Sequence, residues 1–561
     1  MSSKESRTYD AIVVGSGMTG GWAAKELTEE GLKTLVLERG RLVEHIKDYP
    51  TANKDPWELD YGNDLSLKDR EEYFIQKTVF NFKQDTKHFF ARDIDHPYTQ
   101  VKPFNWVKGY QTGGKSLMWS RHCFRWSDLD FEANAKEGTA IDWPIRYRDI
   151  SPWYDHIEEF IGVSGENAGL PQLPDQKLLP PLEMNCLEKY AKQRIAARYD
   201  DRRMIVARVA ILTRPHNGRG QCRSRNMCAR GCPYGAYFSS NSSTLPAAAK
   251  TGKMTLRPFS IVHSLIYDPD KNRVTGVRVI DAETHETSEF FSKIVFLNSG
   301  TLNSTLILMN SSSRHFPNGF ANSSGVLGHY LMDHQEAGGA IGFYDGFQDK
   351  YYHGRKPNGM YIPRFRNVKQ TRSDYVRGFA YECYSGRGNW QQGYYKMGMG
   401  ADFKNGLSKP GPWQMLLVGY GECLPNQKNR VTLNTDKKDK WGLPTLNLDM
   451  QYRENELTMR KDMQASAEEM LAAVGMTGIS PLPLNPTPGG CIHEMGTARM
   501  GNDPKTSVLN GFNQCHDVPN LFITDGSCMV STACQNPSLT YMALTARACD
   551  YAVNELKRGS L

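Results

Sequence analysis

The feature that most constrains this chain is Gly15-Ser16-Gly17-Met18-Thr19-Gly20, a G-x-G-x-x-G run directly after the apolar stretch Ala11-Ile12-Val13-Val14. An unbroken apolar run suits a strand buried on both faces. Trp22 to Leu27 reads as helix and Lys33 to Glu38 as a second strand. Strand, glycine turn, helix and strand in about 30 residues make a βαβ unit. In such a unit Gly15 permits the tight turn, Gly17 lets the backbone approach a pyrophosphate, and Gly20 lets helix and strand pack closely. The pyrophosphate then sits on the positive end of the helix dipole. Glu38 ends the second strand, where a carboxylate accepts from both ribose hydroxyls and repels a 2′-phosphate. The unit predicts a dinucleotide other than NADP and leaves FAD and NAD open.

Further strands are expected in Met254 to Val279, which alternates apolar and polar residues, and in Ile294 to Asn298. Helices are expected at Leu302 to Met309 and Leu539 to Leu556. Residues 48–102 show no clean periodicity and read as an excursion over the surface. Gly109 to Trp119 is glycine-rich and precedes a helix-like stretch, and Pro180 to Ala210 is a separate polar segment. Residues 335–480, rich in aromatics and alternating patterns, read as a mixed or antiparallel sheet in a second lobe. Net charge is +7 over 561 residues, with no basic run, which argues against nucleic acid. No apolar stretch is long enough to span a membrane. The run from Ala11 to Val14 is too short for a signal-peptide core. The expectation is a cytoplasmic protein, or one exported attached to something else.

Four further segments decide between the nucleotides. Gly113-Gly114-Lys115-Ser116, Ser299-Gly300-Thr301, Gly328 to His334, and the C-terminal set His493 to Thr497, Asp525-Gly526 and Asn536 to Thr540 occur in this order. Together they resemble the glucose–methanol–choline (GMC) FAD-dependent oxidoreductases. The resemblance implies an α/β chain: a Rossmann-like FAD-binding domain of the GMC fold with an α+β substrate-binding lobe. Residues 1–50, 103–150, 211–334 and 481–561 are assigned to the first, and 51–102, 151–210 and 335–480 to the second. It implies FAD held by Gly15, Gly17, Gly20, Glu38, Gly113, Gly114, Ser116, Val262, Asp525, Gly526, Asn536 and Thr540. Some relatives bind FAD covalently through a histidine; here Met118 holds that position. Non-covalent FAD is therefore expected, with His122 not expected to substitute.

Flavin oxidation of an alcohol needs a base for the hydroxyl proton and a group that orients the C–H bond. Imidazole suits the first role. His493 and Asn536 match the family's His/Asn pair, which makes them the catalytic candidates. Arg499 and His516 lie nearby in sequence with no assigned role. Trp390, Tyr394, Tyr395 and Trp413 are candidate stacking faces for a sugar ring.

Cys222, Cys228 and Cys232 form C-x5-C-x3-C-P, three of the chain's 12 cysteines within eleven residues. Such spacing suggests a metal or iron–sulfur centre. Zinc would want a fourth ligand, for which His216 and Cys123 are conceivable. The segment resembles the glucose-dehydrogenase branch of the family, which implies a [3Fe–4S] cluster on these three thiolates, with Arg223, Arg225 and Arg230 offsetting its charge. The resulting expectation is a dehydrogenase that oxidises C1 of glucose or C3 of a glycoside. Electrons would leave through the cluster to a cytochrome c or quinone-linked acceptor. A small partner subunit would carry the export signal to the periplasm. The competing expectations are an oxidase that reduces O2 without a cluster, and a catalytically silent flavoprotein.

Overall fold

The computed structural model describes residues 7–352, 358–388, 398–483 and 486–561. Its first sheet has seven strands. From one edge, Met254–Arg257, Thr34–Leu37, Thr8–Val14 and Thr287–Leu297 run parallel, and Leu521–Ile523 pairs in parallel with the last of these. Arg273–Asp281 and Ser260–Asp268 continue the sheet as an antiparallel meander. Ala11 to Val14 are essentially inaccessible, as the unbroken apolar run requires.

The helix Met18–Glu29 leaves the glycine turn and lies against the C-terminal helix Ser538–Arg558. Ala23, Ala24 and Leu27 share a core with Ala548, Cys549, Ala552 and Val553. These mostly small side chains let the helices approach closely. Helix Thr301–Asn310 follows the strand ending at Leu297.

The second sheet has six strands, in the order Thr477–Pro481, Gln335–Tyr344, Trp413–Gly421, Phe379–Arg387, Met360–Ile362, Ile205–Val206. Every pairing is antiparallel. Side chains alternate between its faces. Tyr381, Cys383, Met415 and Leu417 pack on one face against Met459, Met463 and Met470 of the 21-residue helix Glu454–Val474. Glu336, Tyr420, Glu382 and Tyr384 belong to the other face, because Ala380 pairs with Tyr420 and Gln335 with Gly421. A polar face on a buried sheet needs a partner, and here it meets the segment carrying His493.

Two expectations are corrected. The stretch after Trp119 is not helical: His122 bridges to Val209 and the Cys123 N–H donates to the Arg208 carbonyl, and no helix starts in it before Asp128. The segment 180–210 is not simply polar surface. It contains helix Cys186–Arg198, whose Leu187, Ala191 and Ile195 form a buried stripe, and it supplies the edge strand Ile205–Val206. In 48–102 the structure has short turns, one short helix, Leu67–Glu72, and strand Thr99–Gln100.

Candidate active site

One cavity of about 490 Å3 runs from the glycine turn to the polar face of the second sheet. At its nucleotide end Gly15 has φ +97°, and a Cβ there would lie 2.5 Å from the Asn298 carbonyl oxygen. A Cβ on Gly20 would sit 1.9 Å from the Gly15 oxygen, whereas Gly17 faces open space with no atom within 4 Å. Two glycines thus close the turn, and the third leaves room for a phosphate over the helix N-terminus.

Glu38 is 6% exposed and lines the cavity. Burial pushes its carboxyl up, against bonds donated by the Ser16 hydroxyl at 2.6 Å and the Gly40 N–H at 3.0 Å. Ser16 also accepts from the Gly113 N–H at 3.0 Å. It ties the second glycine loop to the first, a role the sequence did not disclose. Gly114 and Ser116 line the cavity, although the Ser116 hydroxyl is engaged by the Gly113 carbonyl and the Ser240 N–H. Gly113 supports from behind.

Val262, Asp525 and Gly526 line the cavity. Burial raises the Asp525 carboxyl, which accepts from the Ser304 and Ser527 hydroxyls at 2.5 and 2.6 Å. Thr540 does not line the cavity; its hydroxyl pairs with Tyr154 at 2.8 Å, while Ser538 and Tyr541 of the same helix do. Met118 and His122 line it too, but His122 is buried against Glu382 at 2.9 Å.

At the far end His493 and Asn536 line the same cavity. Asp333 holds the backbone before His493: it accepts from the N–H groups of Gly489, Cys491 and His493 at 2.8, 3.3 and 3.0 Å. Burial, with Glu494 nearby, pushes the Asp333 carboxyl up to about 7 against these bonds. Burial also drives His493 well below the ordinary histidine range, reinforced by His334 and Lys115, so its imidazole is neutral. Asn536 donates to Glu382 at 3.2 Å, and Glu382 accepts from Tyr384 at 2.5 Å. Burial would raise Glu382, but His122, Tyr384 and Asn536 outweigh it and keep the carboxylate ionised. Glu336, also on the cavity wall, accepts from Tyr420 at 3.3 Å; burial and the charge of Glu382 push it up to about 8. Glu336, Glu382 and Tyr420 were not anticipated. A glutamate inside an otherwise apolar strand pattern was the available signal.

Two groups of candidates are corrected. Trp413 is 1% exposed, packs in the core of the second sheet and donates to the Phe347 carbonyl, so it offers no stacking face. Trp390, Tyr394 and Tyr395 lie outside the described residues. Among the described residues no three His, Cys, Asp or Glu side chains are arranged to hold a metal, and Cys222, Cys228 and Cys232 are no exception. The three share one loop, where burial and the neighbouring thiols raise Cys222. The arginines instead fasten this loop: Arg225 donates to the Ala52 carbonyl, and Arg230 to Asp85 and the Lys54 carbonyl. His216 donates from Nε2 to the Glu159 carbonyl at 2.7 Å and Cys123 is buried, so neither completes a zinc site. Arg499 stacks on Tyr330 and bonds Thr506, and His516 pairs with Ser507; both are structural.

A doubly glycine-braced nucleotide turn, joined by one cavity to a buried neutral histidine, defines a dinucleotide-dependent oxidoreductase. The GMC oxidoreductase family profile matches residues 9–336 and again 425–545. The chain belongs to that FAD-dependent family, whose members act on CH–OH groups. It is 28% identical to 2-methyl-1,2-propanediol dehydrogenase of Mycolicibacterium austroafricanum, over 97% of this chain and 94% of the relative. It is 26% identical to the fructose dehydrogenase large subunit of Gluconobacter japonicus, over 99% and 100% respectively. Pyridoxine 4-oxidase from Mesorbium loti shares the fold, with a TM-score of 0.61 at 16% identity over 97% of this chain and 98% of that one.

Proposed function

We propose that this chain is a dehydrogenase that oxidises a hydroxyl-bearing carbon of a sugar or glycoside. The observation that carries the proposal is the reaction end of the cavity, where His493 and Asn536 face Glu336 and Tyr420 across a space continuous with the nucleotide turn. The residues fit FAD: Gly17 leaves room for the pyrophosphate, Glu38 and Val262 flank the adenosine end, and Asp525 and Gly526 continue the wall. When bound, FAD accepts the hydride. Met118 has no nucleophilic atom suited to a flavin linkage, so the reading is non-covalent FAD. His493, neutral, takes the hydroxyl proton. Asn536, fixed by Glu382, orients the alcohol oxygen. Glu336, with its carboxyl protonated below about pH 8, donates to a second substrate oxygen. A wall able both to donate and to accept suits a polyhydroxylated ring better than a simple alcohol.

The likeness to a fructose dehydrogenase large subunit supports a sugar substrate, a partner subunit and an acceptor other than O2. Co-export with that subunit to the periplasm belongs to the same reading. The test is anaerobic mixing of the FAD-loaded protein with sugars, glycosides and simple alcohols while the flavin absorbance is followed. Bleaching by a sugar or glycoside, with slow reoxidation in air, is expected. Bleaching by simple alcohols alone, or fast O2 turnover, contradicts the proposal.

A further inference from the structure

His334 is fully buried and follows Asp333 at the start of the strand Gln335–Tyr344. Its Nε2 lies 2.7 Å from the Ala533 carbonyl oxygen and 3.2 Å from that of Thr532. Carbonyl oxygens only accept, so Nε2 carries the proton. Its Nδ1 lies 2.9 Å from Nδ1 of His493, with the two rings near perpendicular at 88°. The Tyr452 hydroxyl donates to the His334 carbonyl at 2.7 Å and fixes the backbone from the other side.

These contacts have one consistent proton arrangement for two neutral rings. With Nε2 of His334 protonated, its Nδ1 is a bare acceptor. Nδ1 of His493 must then be the donor in the short contact between the rings. A neutral imidazole has only one N–H, so Nε2 of His493 is left with a free lone pair. Among the described residues no protein group bonds that atom, and His493 lines the cavity. Both rings are neutral: burial takes His334 down to about 4 and His493 well below the usual range.

We infer that His334 is a positioning residue that dictates the tautomer of His493, holding the proton on Nδ1 so that Nε2 faces the substrate as the base. The chain of command starts at the Ala533 and Thr532 carbonyls, three and four residues before Asn536. The same segment that ends in Asn536 therefore also sets the protonation state of its partner. A wrong tautomer presents an N–H to the substrate hydroxyl and removes the base without moving the ring. The inference rests on His493 being the base.

The test compares His493→Ala, His334→Leu and His334→Asn in the FAD-loaded full chain, by the rate of flavin reduction at saturating substrate. Leucine fills the site but accepts no hydrogen bond. Asparagine returns an oxygen acceptor near the position of Nδ1. His334→Leu is expected to slow reduction by about 10²-fold, the scale of losing a general base, with FAD content and substrate KM little changed. His334→Asn is expected to recover most of the rate, which a purely space-filling role for His334 does not explain. Nitrogen-15 NMR of the histidine-labelled wild-type holoenzyme reads the tautomer directly, and the His493→Ala spectrum assigns the resonances. A protonated Nδ1 and a bare Nε2 on His493 are expected. A protonated Nε2 on His493, or a His334→Leu enzyme reducing its flavin at the wild-type rate beside a slow His493→Ala, overturns the inference alone. A wild-type rate in His493→Ala overturns the reading beneath it.

Discussion

Asp333→Asn isolates the support beneath the catalytic candidate. The carboxylate accepts three backbone N–H groups, from Gly489, Cys491 and His493, within 3.3 Å. The segment it holds includes Gly489 at φ +86° and Ile492 at φ +65°. A side chain such as isoleucine in the left-handed region costs about 1–2 kcal/mol, which persists only where surrounding bonds over-determine it. Above about pH 7, where the Asp333 carboxyl is ionised, hydrogen bonds to it contribute about 1.5–3 kcal/mol each. Asparagine keeps one oxygen and turns an amide N–H toward a backbone N–H, losing at least one bond and creating a clash of donors. The local cost is about 2–4 kcal/mol, enough to release the strained turn and shift His493. A displacement of about 1 Å costs on the order of 10²-fold in rate. Asp333 does not line the cavity, so FAD content should hold. Stopped-flow flavin reduction with an active sugar, beside flavin-to-protein absorbance, makes the measurement. An Asp333→Asn enzyme with full flavin and a wild-type reduction rate refutes the reasoning.

Gly113→Ala should yield protein largely without flavin: φ is +89° and the new Cβ would lie 1.7 Å from the Asn241 side-chain oxygen, an amide pinned by bonds to the Val43 and Thr112 carbonyls. The flavin-to-protein absorbance ratio after gel filtration checks it. Glu336 is protonated below about 8 and donates only in that form, so the specificity constant should fall as pH rises through about 8. Glu336→Gln, a donor at every pH, should remove that basic limb, and a pH–rate series with both proteins decides it. Cys228→Ser should change FAD content and the rate of flavin reduction by less than about twofold, because none of the three loop cysteines lines the cavity. Titrating substrate against both proteins anaerobically tests this.

The nucleotide half was legible because its requirements are local. Gly15, Gly17, Gly20 and Glu38 sit within one βαβ unit, and each is selected by a backbone angle or a close approach that few other residues meet. His493 and Asn536 were singled out only through resemblance, since neither local sequence distinguishes an active-site residue from a buried one; the structure places both on the cavity wall. What escaped was assembled from distant strands. Glu336, Glu382 and Tyr420 share a face only through the register of three antiparallel strands, and register is not written in any one of them. Ser16 hid inside the glycine motif because its hydroxyl serves a loop almost a hundred positions away. The cysteine spacing is not matched by a metal-holding group among the described residues, and Arg225 and Arg230 of that loop bind the neighbouring excursion. Trp413 shows that an aromatic in an alternating strand belongs more readily to the core than to a ligand.

The central claim is that His493 takes the proton from a substrate hydroxyl while FAD receives the hydride. The most direct test is the anaerobic flavin-reduction rate of wild type and His493→Ala, each fully loaded with FAD, with the best sugar or glycoside from the panel. The account predicts a fall of at least about 10²-fold, with unchanged flavin content. Equal rates in the two proteins would contradict it.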